Sequence, residues 1–475
     1  VYKRQLLHRA SRASSSGSSA VNAAPAAPGP PGPPGPEPGT PKEVVVHFST
    51  SYSGIGMAEV SVRNLQKAFQ THGLKLSVSC YSQTEKDPAC RLVLPAAEHV
   101  FDDLMNRVSD TTLAKLTKLQ TKFINRAKTQ AEKKKMSAED KNLAGRQFLL
   151  EADCLLASSL EDFRLNPCCL RCSKPCAFAP PRVSGSEIWV ECAGNTCTPW
   201  SKRGKMAGWL DPQSLPCLVW AYSLRSLGQS APDVIVNECV SGFPASDFFA
   251  TAFPGSACWS LIFSPADLGI PAHRPRRYTV IMPNRHSPLF GKVELHKELM
   301  EDVAFRRLQL PGSVFLQAPP EMVKRFMDEL AEAKQLPPRP PGKVYSCTSV
   351  MPSSSRVRML GYKEALVASG ITDMDYNVDI SQTRMYGGTM QVLPTVLKNS
   401  NIFNLASDRL YLPEELLSAQ GIPFFLAKDD DLCDASVCEA LQTLPQKEMR
   451  TVTGNSMSVC QVGTVLACVF TAAFS

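Results

Sequence analysis

The stretch from Glu43 to Cys80 constrains the fold more than any other part of the chain. Val44, Val45, Val46 and Phe48 read as a buried strand. Tyr52-Ser53-Gly54-Ile55-Gly56 follows as a glycine-bearing loop, and an amphipathic helix runs from about Ala58 to Thr71. Leu74 to Cys80 reads as a second strand. A strand that enters a helix through a glycine loop and is followed by another strand opens an α/β sheet of the nucleotide-binding kind. Ile188 to Val190, Val234 to Val236 and Tyr278 to Met282 read as further short strands, fully buried as in a parallel sheet. The expected architecture is therefore a mostly parallel, doubly wound sheet of Rossmann-like type.

The rest of the chain divides by composition. Residues 1–42 are dominated by Ser, Ala, Gly and Pro and cannot bury a core, so a disordered tail is expected. The Gly-Pro-Pro repeat between Gly29 and Gly35 is too short for a triple helix and reads as an extended linker. Residues 43–285 form the expected catalytic domain, with a helical insertion at about 104–185. Between Leu104 and Arg146 stand eleven Lys or Arg against four acids, a surplus equal to the net charge of +7 for the whole chain. A basic helical segment of this kind suits phosphate tracking or a solvated face. Residues 286–400, rich in proline, read as a smaller lobe, and residues 401–475 complete the first domain.

The seventeen cysteines are scattered through a long chain with no apolar signal core, which favours a reduced, intracellular protein over a disulfide scaffold. The first Met is Met57, inside the glycine loop, so the natural start is expected upstream of Val1. The acid-free opening also fits a transit peptide. The apolar stretch Thr451 to Ser475 is interrupted by Gly454, Asn455, Ser456, Gln461 and Gly463 and reads as a buried helix, with no membrane partner expected.

Cys197-Thr198-Pro199-Trp200-Ser201 follows the strand that ends near Gly194. A cysteine on a loop at the carboxyl end of a parallel strand is placed for nucleophilic chemistry, although a single cysteine is more often a small buried hydrophobe. With Gly204, Lys205, Gly208 and Asp211, this stretch resembles the catalytic loop of the cytosine-5 DNA methyltransferases. Other segments resemble that family's motifs in order. Tyr52 to Gly56 is similar to the loop for S-adenosylmethionine, and Pro232 to Val240 to the strand ending in Glu-Asn-Val. Gly269 to Tyr278 is similar to the arginine motif. Arg409, Leu410, Glu414, Gln420 and Gly421 match a later helix, and Gly454 to Val459 the C-terminal Gly-Asn-Ser-Val motif. Thr196, Thr198, Cys239 and Ala272 depart from the family pattern; Thr196 in place of proline touches the rigidity of the catalytic loop.

The resemblance implies a methyltransferase domain with a target-recognition lobe, acting on a flipped-out cytosine with S-adenosylmethionine as donor. It implies catalytic roles for Cys197, Glu238, Arg274 and Arg276, and donor-binding roles for Tyr52, Ser53, Gly54, Ile55, Gly56, Glu85, Asp103, Gly194, Asn455 and Ser456. Cys197 would attack carbon 6 of the base, Glu238 would share a proton with ring nitrogen 3, and the two arginines would hold the base carbonyl or a nearby phosphate. Duplex DNA is the expected partner and the nucleus the expected location. RNA methylation and an inactive nucleic-acid-binding module stay open as alternatives, as does an organelle. No metal is required. Cys168, Cys169, Cys172 and Cys176, with Cys154 or Cys192 as a further ligand, could hold zinc, but incidental loop thiols are the preferred reading.

Overall fold

The computed structural model describes residues 43–474 apart from 134–136, 182–186, 202–203, 205, 288, 294–296, 309, 341–342, 383–389 and 426–434. The expected disordered tail, with Lys134, Lys135 and Lys205, lies outside the described residues.

The opening unit forms as its sequence dictates. Strand β1 spans Glu43–Ser51, helix α1 Met57–Gln70, β2 Lys75–Thr84 and β3 His99–Phe101. A basic helical hairpin follows, α2 at Asp110–Lys133 and α3 at Ala138–Ala157. Two short strands, β4 (Cys168–Cys169) and β5 (Lys174–Pro175), precede β6 at Glu187–Gly194. Then come α4 (Leu215–Arg225), β7 (Val234–Cys239), α5 (Ala245–Ala252), β8 (Ala257–Phe263) and β9 (Arg276–Met282).

The main sheet has the order β3-β2-β1-β6-β7-β9-β8. The pairs from β3 to β7 are all parallel, and β9 is antiparallel to both β7 and β8. The fold is a Rossmann-like, mostly parallel sheet, as expected. Two details differ from the sequence reading. Tyr278 to Met282 runs against the other strands, and the edge strand β8 was not foreseen. Its exposed Cys258 and Ile262 interrupt the apolar run that marks a buried strand.

Each face of the sheet carries its own apolar core. One contains α1 residues such as Val60 and Val62 with Val465, Val469 and Phe470 of the C-terminal helix. The other contains Leu116, Phe123, Phe148 and Leu156 of the hairpin with Trp220 of α4 and Phe248 of α5. One face of the hairpin is thus core, while Lys115, Lys118, Lys122, Arg126 and Lys128 are exposed.

The smaller lobe has its own cluster, built from α6 (Pro320–Ala333), α7 (Ser353–Ala368) and a three-stranded sheet. That sheet pairs β10 (Asn377–Asp379) with β11 (Ile402–Asn404) and β12 (Arg409–Leu410), so it draws on residues beyond 400. Leu289, Val293 and Met300, from the lobe's sequence side, pack into the first core of the main sheet.

The chain returns through α8 (Pro413–Ala419), α9 (Gln446–Asn455) and α10 (Val459–Phe474). By length and composition alone, Gln446–Phe474 is apolar enough to cross a membrane. Within the fold, Phe470 and Phe474 of α10 close on Phe69 of α1 at ring distances of 6.5 and 5.5 Å.

Candidate active site

The carboxyl ends of β1, β2, β3, β6 and β7 share one edge, and the chain winds in opposite directions on either side of the β1/β6 boundary. A crevice at such a reversal is where open α/β sheets bind ligands. The loop leaving β1 turns through left-handed backbone at Tyr52 (φ 55°), Gly54 (58°) and Gly56 (78°). A Cβ on Gly56 would stand 2.1 Å from Pro95 Cδ, so glycine is required there. Gly56 caps α1 without a side-chain hydrogen bond, and the carboxyl of Glu59 in the first turn accepts from its own backbone N–H. Ile55 is fully buried beneath the loop. Ser53 ties the ends of β1 and β2 together: its N–H donates to Thr84 O, and its Oγ lies 2.6 Å from Thr50 Oγ1.

Both acids expected at the donor pocket lie on this edge. Glu85 accepts from Gly54 N and Asp87 N, each at 2.8 Å, and burial raises its pKa. Asp103 accepts from Met105 N and pairs with Lys86 at 2.8 Å. Tyr52 packs against the second core, and its hydroxyl is buried without a hydrogen-bond partner among the described residues. Burial, with Cys217 and Asp103 adding to it, raises the Tyr52 pKa well above the usual value.

The cysteine loop leaves β6 beside β7. Gly194 pairs with Glu238, and a Cβ on it would meet Met457 Sδ at 3.4 Å and Glu238 Oε2 at 3.6 Å. Asn195 N donates to Glu238 O. Cys197 is exposed, and its carbonyl accepts from Trp200 N and Ser201 N, which curls the loop. Trp200 anchors the loop, with ring centroids 4.8 Å from Trp209 and 5.2 Å from Phe243. Gly204 is required because a Cβ would collide with Thr198 O at 1.9 Å.

Glu238 is buried at the end of β7. Arg276 Nε lies 2.9 Å from its Oε1, an ion pair that lacks hydrogen-bond alignment and leaves Oε1 without a hydrogen-bond partner among the described residues. Arg274, expected to hold a base carbonyl or phosphate, directs its guanidinium to backbone carbonyls. Its Nη1 donates to Val396 O at 3.1 Å and its Nη2 to Ser456 O at 2.6 Å. Burial, followed by repulsion from Arg276, lowers its pKa to about 10. This guanidinium joins the C-terminal motif to the smaller lobe.

The C-terminal motif closes the same crevice. Asn455 is exposed, and its carbonyl would lie 3.7 Å from a Cβ on Gly54. Ser456 is buried, its Oγ donating to Thr453 O. The glycine loop, Cys197 loop, Glu238 and C-terminal motif, scattered across four hundred residues, therefore meet at one edge.

Several residues of this region carried no sequence signal. Gln120 of the basic hairpin donates to Trp209 O and Asp211 O at 2.9 and 3.0 Å, fastening the hairpin to the segment behind Cys197. Beneath the glycine loop, Glu59 accepts from Thr50 Oγ1 and Gln83 Nε2. Glu191 accepts from Ser51 and Trp220 in the sheet interior. Isolated polar residues in helices or strands look like surface positions until the packing is known. In the smaller lobe, Arg306 and Arg358 are spent on backbone carbonyls, while Arg307, Lys324, Arg325, Arg356 and Lys363 are exposed.

The cysteine cluster differs in membership from the sequence reading. Cys169, Cys172 and Cys176 meet His99, with one potential ligand atom from each residue lying within 4.8 Å of the others. Cys168 and Cys154 are exposed and outside this group, and Cys192 is buried in the first core.

No protein-family model matches the chain, and no curated protein matches it. Solved structures do. The Entamoeba histolytica methyltransferase EhMeth is 13% identical with a TM-score of 0.39, over 90% of this chain and 98% of that one. A Dnmt2 variant from Spodoptera frugiperda is 12% identical with a TM-score of 0.40, over 89% and 99%. The Dnmt2 methyltransferase of S. pombe is 12% identical with a TM-score of 0.37, over 90% and 97%.

Proposed function

We propose that the chain is an S-adenosylmethionine-dependent methyltransferase acting on carbon 5 of cytosine in duplex DNA, with the nucleus as its site of action. The observation that carries this reading is the meeting of an exposed Cys197, a buried Glu238 and the glycine loop at one sheet edge. The left-handed Tyr52–Gly56 loop and the carboxyls of Glu85 and Asp103 suit S-adenosylmethionine. When bound, that molecule supplies the methyl group.

The residues of this chain do the rest. The Cys197 thiolate adds to carbon 6 of the base and makes carbon 5 nucleophilic. Glu238 holds a proton at ring nitrogen 3 and offsets the negative charge that develops there. Its buried carboxyl is ion-paired at Oε1 with Arg276, and its Oε2 lies beside Gly194 at the root of the cysteine loop, which supports this contact. Arg276 holds the Glu238 carboxyl in place. Once carbon 5 carries the methyl group, its proton passes to solvent, and the electron pair of that bond expels the Cys197 thiolate from carbon 6 and restores the ring. The target carbon lies inside the base stack, so the base must be flipped out. The exposed lysines of the basic hairpin, which Gln120 fastens behind the Cys197 loop, support phosphate contact along a duplex.

The test is transfer of a tritiated methyl group to unmethylated duplex DNA beside total transfer RNA. Label recovered as 5-methylcytosine in DNA, and lost in Cys197→Ala with donor binding retained, is the expected result. Label in RNA alone overturns the substrate. Transfer that survives Cys197→Ala overturns the chemistry.

A further inference from the structure

We propose that His99, Cys169, Cys172 and Cys176 form a structural zinc site that pins the β4–β5 hairpin to the edge of the main sheet. Three sulfurs and one imidazole are a ligand set that zinc takes in closed, tetrahedral structural sites. Tetrahedral ligands about 2.3 Å from zinc lie roughly 3.8 Å apart. Here the four ligand atoms lie within 4.8 Å of one another, and Cys172 Sγ is 3.6 Å from His99 Nδ1. Small side-chain adjustments close the remaining distance.

The backbone is already shaped as a metal-binding turn. Cys169 and Cys172 are separated by two residues in a hairpin, and the turn closes through Ser173 in left-handed conformation (φ 52°). Ser173 N donates to Cys169 O at 2.8 Å. Two backbone amides, Val100 N and Cys172 N, point at Cys169 Sγ, each at 3.4 Å. Amides aimed at one sulfur offset the charge of a metal-bound thiolate. Cys176 is held by its own N–H on Pro167 O at 3.0 Å. Cys169 and Cys176 are buried, and His99 and Cys172 are half-buried, so the site is sheltered but reachable.

The fold also has a reason to need a metal here. β4 and β5 are two residues each, and a hairpin with so few ladder bonds is not stable by itself. It lies along β3, the outermost strand, to which Leu170 N donates at Val100 O. A metal that joins His99 of β3 to the hairpin cross-links segments some seventy residues apart and contributes its binding free energy to folding. This site is independent of the reading of the chemistry at Cys197.

The test uses the full chain purified without chelator. Elemental analysis is expected to find one zinc per chain. After exchange, cobalt should give the thiolate charge-transfer and intense visible bands of a tetrahedral site. Cys172→Ser should weaken metal affinity by at least about 100-fold, more than loss of an outer partner does. Cys168→Ser, one residue from a ligand, should leave it unchanged. If Cys172→Ser does not fold, thiol alkylation of the wild-type chain decides. Zinc should protect Cys169, Cys172 and Cys176, and chelation should expose them, while Cys154 and Cys168 react in both states. A chain that takes up neither zinc nor cobalt overturns the proposal. So does protection that includes Cys168 or omits Cys172.

Discussion

Glu238 at the end of β7 and Arg276 at the start of β9 stand 2.9 Å apart at the same edge of the sheet, both side chains less than a tenth exposed. A buried charge that loses its partner is costly, whereas losing both charges is less so. Arg276→Gln is expected to destabilise the fold by about 3–5 kcal/mol. Adding Glu238→Gln should recover part of that loss. Denaturant midpoints of the two single variants and the double variant measure the coupling; strictly additive losses count against the pair. Glu238→Gln should also lower methyl transfer by about 100- to 10,000-fold through loss of the acid, with donor affinity unchanged.

Gly454 and Gly463 should respond to alanine in opposite directions. A Cβ at Gly454 would stand 2.1 Å from Lys398 N and 2.2 Å from Leu397 C, both backbone atoms that cannot step aside. Gly454→Ala should therefore cost about 1–3 kcal/mol and weaken donor binding, because Asn455 and Met457 shift away from Gly54 and Gly194. At Gly463, within α10, the added methyl meets Ser61 Cβ at an ordinary 3.6 Å. Helix propensity then dominates, and Gly463→Ala should stabilise by up to about 1 kcal/mol. Thermal melts and donor titrations of both variants check this, and equal destabilisation would contradict the packing.

Burial raises the pKa of Glu59, outweighing its hydrogen bonds from Thr50 and Gln83. The folded state thus holds this proton to a higher pH than the unfolded state does. The resulting stability is fully present below the ordinary carboxylate range and is lost as pH rises through the elevated pKa. Glu59→Gln keeps an acceptor at Oε1 and removes the titration. The melting temperature of the variant should gain on the wild type as pH rises through that window and then keep a constant lead. A lead that shrinks with rising pH would reverse the sign of this argument.

Local pattern carried much of the fold and the site. The apolar run Val44–Phe48, the glycine loop and the amphipathic face of α1 are properties of neighbouring residues, and they form where the spacing places them. The order of the motifs around Gly54, Cys197, Glu238 and Gly454 was likewise visible along the chain, because each combines residue types that a loop or strand end needs.

Tertiary packing decided what distance along the chain conceals. The antiparallel course of β9 puts Arg276 at the edge where β7 ends; run parallel, it would stand at the opposite edge, far from Glu238. Arg274 looked equivalent to Arg276 in sequence, yet the folded chain turns it onto the carbonyls of Val396 and Ser456. His99 replaced Cys168 in the cysteine cluster because β3 lies beside the hairpin that carries Cys169. Sequence determines which residues can bear charge, turn the chain or leave water. Sheet order and strand direction determine which of them meet, because burial pairs groups by proximity in space and not along the chain.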